Sequence, residues 1–334
     1  MAPDRFSIIL LGHNRFFETT DRCLASLSQD PEFASWEVVV VDNASDEESR
    51  DAFAQAPARY PGITLFRSEI NAGYPGGMNA GLRLVHGDPI ILVTNDVLIP
   101  TGTIGRLAAE LKAHPHAGLI GPVTNAAGNE QKIFIDPPSP TATVMEQGQA
   151  FAEASPDGCM SAYRLDGCCV AMRRAVYEAI GGFDEAYSPG YYEDFDYSLQ
   201  ARKAGFELLV AENAFVYHEG GASFGRNSKE KKALIARNKR LFLAKHGRDT
   251  WLPHIRDGNL RALTHYAEQM QAGLPPPAYR IANRLKLANT DMPKSFWKRW
   301  KYQKRVEVLE QLLAPALRTA DSEHTETLSE STHT

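Results

Sequence analysis

The chain has 334 residues, 43% of them hydrophobic and 23% charged, with a formal net charge of −5. That length can bury a large core and suits one large domain with additions, or two domains, of ordinary globular composition. The acidic balance argues against nucleic acid as a partner, because a phosphate backbone calls for a basic field.

No apolar run approaches the roughly 20 residues needed to span a bilayer. Phe6–Leu11 is too short for a signal-peptide core and is preceded by Asp4. The expected location is therefore the cytoplasm. Cys23, Cys159, Cys168 and Cys169 form no Cys-x-x-Cys pair, so neither a zinc site nor a disulfide framework is expected. Cys168 and Cys169 read as small buried residues beside a ligand pocket.

In chain order, Phe6–Leu11 reads as a buried strand ending in a turn at Gly12-His13-Asn14-Arg15. A helix follows with Cys23, Leu24 and Leu27 on one face, then strand Glu37–Val41, closed by Asp42-Asn43-Ala44-Ser45. Asp46–Ala58 reads as helix and Ile63–Phe66 as a short strand. Asn71–Gly77 is a glycine-rich turn leading into a helix over about 78–85. Strand Pro89–Val93, helix Ile104–Ala113 and strand Gly118–Ile120 come next. Apolar strands alternating with helices predict an α/β fold, a mostly parallel central sheet flanked by helices.

From 124 to about 156 the pattern loosens into polar sequence with Pro and Gly, read as loops crossing to the second half of the site. Order resumes near 164–172, followed by a helix from Arg174 to Ile180 and another from Asp194 to Ala204, capped by Gly205. Glu207–Val210 and Ala214–Tyr217 read as two short strands. Lys229–His246 is a basic helix, and Gly273-Leu274-Pro275-Pro276-Pro277 a linker or sharp turn. Tyr302, Val306, Leu309 and Leu313 recur at helical spacing, while 319–334 is Ser/Thr/Glu-rich without aromatic residues and reads as a disordered tail.

Strand Ile90-Ile91-Leu92-Val93 delivers Thr94-Asn95-Asp96 to its carboxyl end, where ligands bind in open α/β sheets. Asp96 suits a divalent cation, Mg²⁺ or Mn²⁺, set against the phosphates of a donor. Asn95 could orient Asp96 or the donor ribose; alternatively the pair merely caps the next helix. Asp42 closes its strand in the same way, either to bind a base or ribose or to cap the helix at Asp46. Asn71, Gly73, Gly76 and Asn79 belong to a loop whose glycines permit close backbone approach to a ligand. Glu193-Asp194 opens a helix about a hundred residues later. Asp194 fits a general base and Glu193 a group positioning the acceptor or the base; first-turn acids are also ordinary dipole chemistry. His218 ends an apolar strand, as a metal ligand or as a structural residue, and Ser223 or Arg226 beyond it could touch phosphates.

In order and spacing these motifs resemble the family 2 glycosyltransferases of the GT-A fold, over about Phe6 to Gly225. The residues carrying the resemblance are Asn14-Arg15, Val41-Asp42-Asn43-Ala44-Ser45, Asn71-Ala72-Gly73 with Asn79, Thr94-Asn95-Asp96, Gly181-Gly182-Phe183-Asp184-Glu185, Glu193-Asp194-Phe195-Asp196 and His218. The resemblance implies that Asp42 contacts the nucleotide base, Asp96 and His218 the metal, and that Asp194 is the catalytic base. Asn14, Arg15 and Asn43 would then face the donor, and Phe183, Asp184 and Glu185 the acceptor. It implies a nucleotide-diphosphate sugar as donor and a glycan or lipid-linked glycan as acceptor, in bacterial surface-glycan synthesis. Thr94 stands where the family's Asp-x-Asp motif has its first acid, and no Gln-x-x-Arg-Trp motif follows, which favours single sugar addition. A sugar nucleotidyltransferase and a non-catalytic glycan-binding module are the alternatives.

The expected organisation is a catalytic domain over 1–226, with a nucleotide-sugar half to about 122 and an acceptor half beyond, then a helical C-terminal extension over 227–318. Lys294–Tyr302 mixes cations with aromatics. It either rests on an anionic bilayer at the inner face of the membrane, as a peripheral contact, or packs its tryptophans on the catalytic domain. The helices after Pro277 offer a contact for a homodimer.

Overall fold

The structure, a computed structural model, describes residues 6–137, 139–154, 156, 158–220 and 229–330, with side chains as far as 318. Its first half alternates β1 (Ser7–Gly12), α1 (Thr20–Leu27), β2 (Glu37–Asp42), α2 (Glu47–Arg59), β3 (Ile63–Arg67), α3 (Gly73–Leu82) and β4 (Ile90–Thr94). There follow β5 (Val97–Leu98), α4 (Thr103–Ala113), β6 (Ala117–Thr124), α5 (Thr141–Glu153), β7 (Cys159–Ser161), β8 (Cys169–Met172), α6 (Arg174–Ile180), α7 (Glu193–Lys203) and β9 (Glu207–His218). Four helices complete the chain: α8 (Lys229–His246), α9 (Ile255–Gln271), α10 (Ala278–Thr290) and α11 (Phe296–Glu330).

One sheet runs in the order β3-β2-β1-β4-β8-β6-β9-β5, with β7 pairing β9. The first four strands are parallel; β8 is antiparallel to both β4 and β6, and β9 returns parallel to β6. Alternation along the strands divides the core between the two faces. Ile8, Leu10, Val38, Val40, Ile91 and Val93 pack with residues of α1, α2 and α4. Ile9, Leu11, Val39, Val41, Ile90 and Leu92 pack with residues of α3, α5, α6 and α7. Strands buried on both faces need the unbroken apolar runs seen in β1, β2 and β4. The strand order reverses between β1 and β4, and the crevice outside such a reversal is where an α/β sheet takes its ligand.

Three expectations change. The glycine-rich turn is the first half of α3, and its glycines let that helix lie close on β1. A Cβ at Gly77 would stand 2.4 Å from Leu11 Cδ1, and one at Gly81 2.3 Å from Ile9 Cγ2. The loop expected over 124–156 contains α5, which buries Val144, Gly148, Phe151 and Ala152 at helical spacing. The two short strands expected after Gly205 form one strand, β9, whose register to β6 slips between Pro122 and Val123.

Glu212 lies in that irregular stretch and is buried against the C-terminal helices. It accepts from Arg284 Nη2 at 2.6 Å and from the Tyr266 hydroxyl at 2.8 Å. Helices α9, α10 and α11 share a separate cluster of Leu263, Tyr266, Ile281, Tyr302, Val306 and Leu313. Helix α11 continues as backbone to Glu330, into the segment whose composition suggested disorder, and 316–330 holds neither Pro nor Gly to stop it. No helix of the described residues is long and apolar enough to cross a membrane.

Candidate active site

A cleft of about 790 Å³ opens over the carboxyl ends of β1, β2 and β4. Leu11, Gly12 and His13 line it from β1, Thr94, Asn95 and Asp96 from β4, and Glu193, Asp194 and Phe195 from the start of α7. His218 completes the wall. The two acidic motifs, distant in sequence, thus share one cavity.

Asp96 and His218 meet because β5 pairs antiparallel with β9, setting Val97 opposite His218. His218 Nε2 stands 3.4 Å from Asp96 Oδ2. The other ring nitrogen, Nδ1, donates to the Ala126 carbonyl at 2.9 Å, which fixes the ring and turns Nε2 toward the carboxylate. Thr94 Oγ1 donates to Asp96 Oδ1 at 2.7 Å, so the residue at the first position of the motif orients the acid at the last. Burial raises the cost of ionising Asp96, and bonds from His218 and Thr94 outweigh it, leaving the carboxyl below its ordinary value. Burial also opposes the His218 imidazolium, but Cys168 and Asp96 more than compensate and lift it to about 12.

At the other wall, Arg164 reaches both Asp166 and Asp194, the latter at 3.2 Å, with its guanidinium 3.9 Å from the centre of the Phe195 ring. Burial pushes Asp194 up to about 6; Arg164 pulls against that rise and Asp166 adds to it. Glu193 is only 8% exposed, and its Oε2 is buried with no hydrogen-bond partner among the described residues. Burial and the adjacent Asp194 hold Glu193 well above the usual carboxylate range. Both acids are thus harder to ionise than in water, and Arg164 offsets part of that cost at Asp194.

The turn before α7 is strained: Tyr191 and Tyr192 adopt φ of 71° and 78°, unusual for bulky residues. Asn238 of α8, fully buried, holds it by donating from Nδ2 to the carbonyls of Tyr187 (2.7 Å), Gly190 (2.8 Å) and Tyr191 (2.8 Å). Lys245 and His246 of the same helix contact the buried Asp196 carboxylate at 2.9 and 2.6 Å, fixing α7 itself.

The remaining expected residues divide. Asn43, Asn71 and Gly73 line the cleft and are stitched together, with Asn43 Nδ2 donating to Asn71 Oδ1 at 3.1 Å and to the Gly73 carbonyl at 3.0 Å. Asn95 also lines it, but its side-chain amide donates to Thr19 and Thr20, away from Asp96. Asn14, Arg15, Asp42, Gly76 and Asn79 lie outside the lining. Asn14 tethers Ser45 and Asp46, and Arg15 is exposed. Asp42 is buried, accepting from the Ser45 amide at 2.9 Å and from Arg67 at 2.5 Å.

The expected acceptor residues also face elsewhere. Phe183 stacks on Tyr197, Asp184 pairs with Lys245 at 2.7 Å, and Glu185 accepts from Asn79 at 2.9 Å. Asn79 and Glu185 thus brace the two halves of the fold. Ser223 and Arg226 lie outside the described residues. Sequence reasoning missed His13, Tyr74, Arg164, Asp166 and the aromatic pair Tyr191-Tyr192, all of which line the cleft. For Arg164 and Asp166 the only signal was an Arg-x-Asp spacing, which has no meaning until α7 is folded beside it.

The fold and this cleft define a nucleotide-sugar-dependent glycosyltransferase of the GT-A type. The profile of Glycosyl transferase family 2 matches residues 7–181, and the chain belongs to that family. The N-acetylglucosaminyl-diphospho-decaprenol L-rhamnosyltransferase of Mycobacterium tuberculosis is 28% identical over 265 residues, covering 71% of this chain and 83% of the relative. Among solved structures, the Pyrobaculum calidifontis mannosyltransferase PcManGT in complex with GDP-Man and Mn²⁺ gives a TM-score of 0.53 at 19% identity, over 94% of this chain and 86% of that one. S. aureus TarS 1–349 in complex with UDP-GlcNAc gives 0.51 at 17% identity, over 97% and 92%. Family membership sets aside the nucleotidyltransferase and binding-module alternatives.

Proposed function

We propose that the protein is an inverting transferase that moves one sugar from a nucleotide-diphosphate sugar to an acceptor hydroxyl in the synthesis of a bacterial surface glycan. The observation that carries this reading is the presence of Asp96–His218 and Glu193–Asp194 on one cleft. Asp194 accepts the acceptor's proton as that oxygen bonds to the anomeric carbon. The bond from that carbon to the donor diphosphate breaks, and the nucleoside diphosphate leaves with the electron pair. One displacement with one base inverts the anomeric centre. Glu193, whose ionisation burial and Asp194 disfavour, would donate a hydrogen bond to the acceptor in its protonated form. Arg164 orients Asp194 and keeps it ionisable.

Asp96 Oδ2 and His218 Nε2 fit one divalent cation. Their 3.4 Å separation is near the about 3 Å between adjacent ligands of a hexacoordinate ion, and Nε2 would bind on giving up its proton to make way for the cation. Bound there, Mg²⁺ or Mn²⁺ would supply positive charge for the departing diphosphate. Gly12, His13, Asn43, Asn71 and Gly73 form the donor wall. The similarity to a rhamnosyltransferase whose name specifies a diphospho-decaprenol substrate supports a deoxyhexose donor and a lipid-linked acceptor.

The test joins ligand binding to turnover. A panel of nucleotide-diphosphate sugars, with and without Mn²⁺, should raise the melting temperature for one donor class only when the metal is present. Asp194→Asn should keep that shift and lose about 10²–10⁴ in kcat. Transfer near the parent rate in this variant would remove the base assignment.

A further inference from the structure

Helix α11 has two apolar faces, and only one of them is covered. Tyr302, Val306 and Leu313 are buried against α9 and α10, with Leu309 packed beside them. At 100° per residue, Trp297, Trp300 and Val308 fall on the side away from that face, with Phe296 and Leu312 on its two flanks. These are 73%, 70%, 50%, 56% and 44% exposed. The tryptophans therefore do not pack on the catalytic domain; the packing expected of this segment is done by Tyr302. Phe296, Trp297 and Trp300 cluster within about 6 Å along the helix axis, and Val308 and Leu312 follow beyond Lys301, Lys304 and Arg305. A cluster of large exposed aromatic side chains on a protein surface marks a binding face.

Charge identifies the occupant. Residues 294–305 contain six cations, Lys294, Lys298, Arg299, Lys301, Lys304 and Arg305, and no acid, in a chain of net charge −5. Lys304 pairs with Glu307 at 2.7 Å. The rest are exposed around the aromatics. A second copy of this chain is a poor fit: in a two-fold interface the patch meets itself, setting these cations against their own duplicates. A bilayer bearing anionic headgroups is complementary on both counts. Indole and phenyl rings lodge at the headgroup level, and lysine and arginine stems keep their charges among the phosphates.

We propose that the first five turns of α11 form a surface by which the enzyme docks, without spanning, on an anionic bilayer, Phe296, Trp297 and Trp300 entering the interface and Lys298, Arg299 and Lys301 engaging lipid phosphates. This deepens the proposed function, since a lipid-linked acceptor is presented at a membrane. The docking itself needs neither donor nor acceptor, so it is measured separately from transfer.

Full-length protein is sedimented with vesicles of phosphatidylcholine alone or with one third phosphatidylglycerol, in low salt and at about 0.5 M salt. Binding is expected only to the anionic vesicles, weakened by salt, with a blue shift of tryptophan emission. The Trp297→Ala/Trp300→Ala and Lys298→Glu/Arg299→Glu proteins should each lose roughly thirtyfold in vesicle partitioning. Both should melt as the parent does and keep its donor-induced thermal shift, because these side chains are exposed and lie outside the cleft. Three results would overturn the inference: no binding to anionic vesicles in low salt, binding unaffected by both double substitutions, or a dimer in solution that the tryptophan substitutions dissolve while vesicle binding is absent. Loss of the donor shift in the parent would instead count against the transferase reading and leave the docking result standing.

Discussion

Near neutral pH, two adjacent carboxyl groups in one buried turn cannot both ionise cheaply, and here the environment decides between them. Among the described residues Glu193 has no partner for its inner oxygen, whereas Asp194 has Arg164. As a base, Asp194 works only when ionised, so kcat/KM should fall as pH drops through about 6. Arg164 opposes the rise of that value, so in Arg164→Met the acid limb should move to higher pH. The loss of rate would then be larger at pH 7 than at pH 9, as a pH–rate profile of both proteins would reveal; an unmoved limb would mean that Arg164 has no hold on the titrating group. Asp96, Asp194 and His218 were legible in the sequence because each sits at the end or start of a strongly patterned element. Arg164 was not, because its partners lie on another element and an isolated arginine gives no period to read.

Helix α8 shows the same limit one level up. Its basic sequence Lys229–His246 announces a helix, yet nothing in it announces that Asn238 would be fully buried under the turn carrying Tyr191 and Tyr192. Two consecutive positive φ values persist only if the surroundings over-determine them, and three carbonyls held by one amide do so. Asn238→Ala should therefore let the Tyr191-Tyr192 turn relax, lowering kcat by about 10-fold or more while donor binding, read from the nucleotide-sugar thermal shift, stays within a factor of two or so. The glycines of α3 misled for a comparable reason. Glycine signals close approach, and the sequence does not say whether a ligand or a strand approaches; here Leu11 and Ile9 do. Helix α5 was hidden by the prolines and polar residues that precede it, although Val144, Gly148, Phe151 and Ala152 carried its periodicity.

Across the whole molecule, the alternating strands and helices to β6 followed the apolar pattern closely, and the helices after residue 226 are tied into the part that carries the cleft. Helix α8 braces the cleft, and α10 reaches back through Arg284, which donates to Glu212 and to the carbonyls of Glu130 and Lys132. These ties are long-range, so no local pattern encodes them. Arg284→Met would strand a buried carboxylate and two carbonyls, and should cost about 3–5 kcal/mol in a urea titration. A cost below about 1 kcal/mol would mean that Tyr266 and Arg280 satisfy Glu212 alone.

One consequence concerns motion. Tyr74 donates its amide to the Pro189 carbonyl and its hydroxyl to that of Gly167, while five residues on Asn79 grips Phe183 and Glu185. Among the described residues, this short helix thereby ties the first half of the sheet to the segment 167–189 on the far side of the cleft, and opening the two apart would break all four bonds. Domain-scale opening on ligand binding is therefore not expected, and small-angle scattering should return the same radius of gyration with and without a saturating nucleotide-sugar.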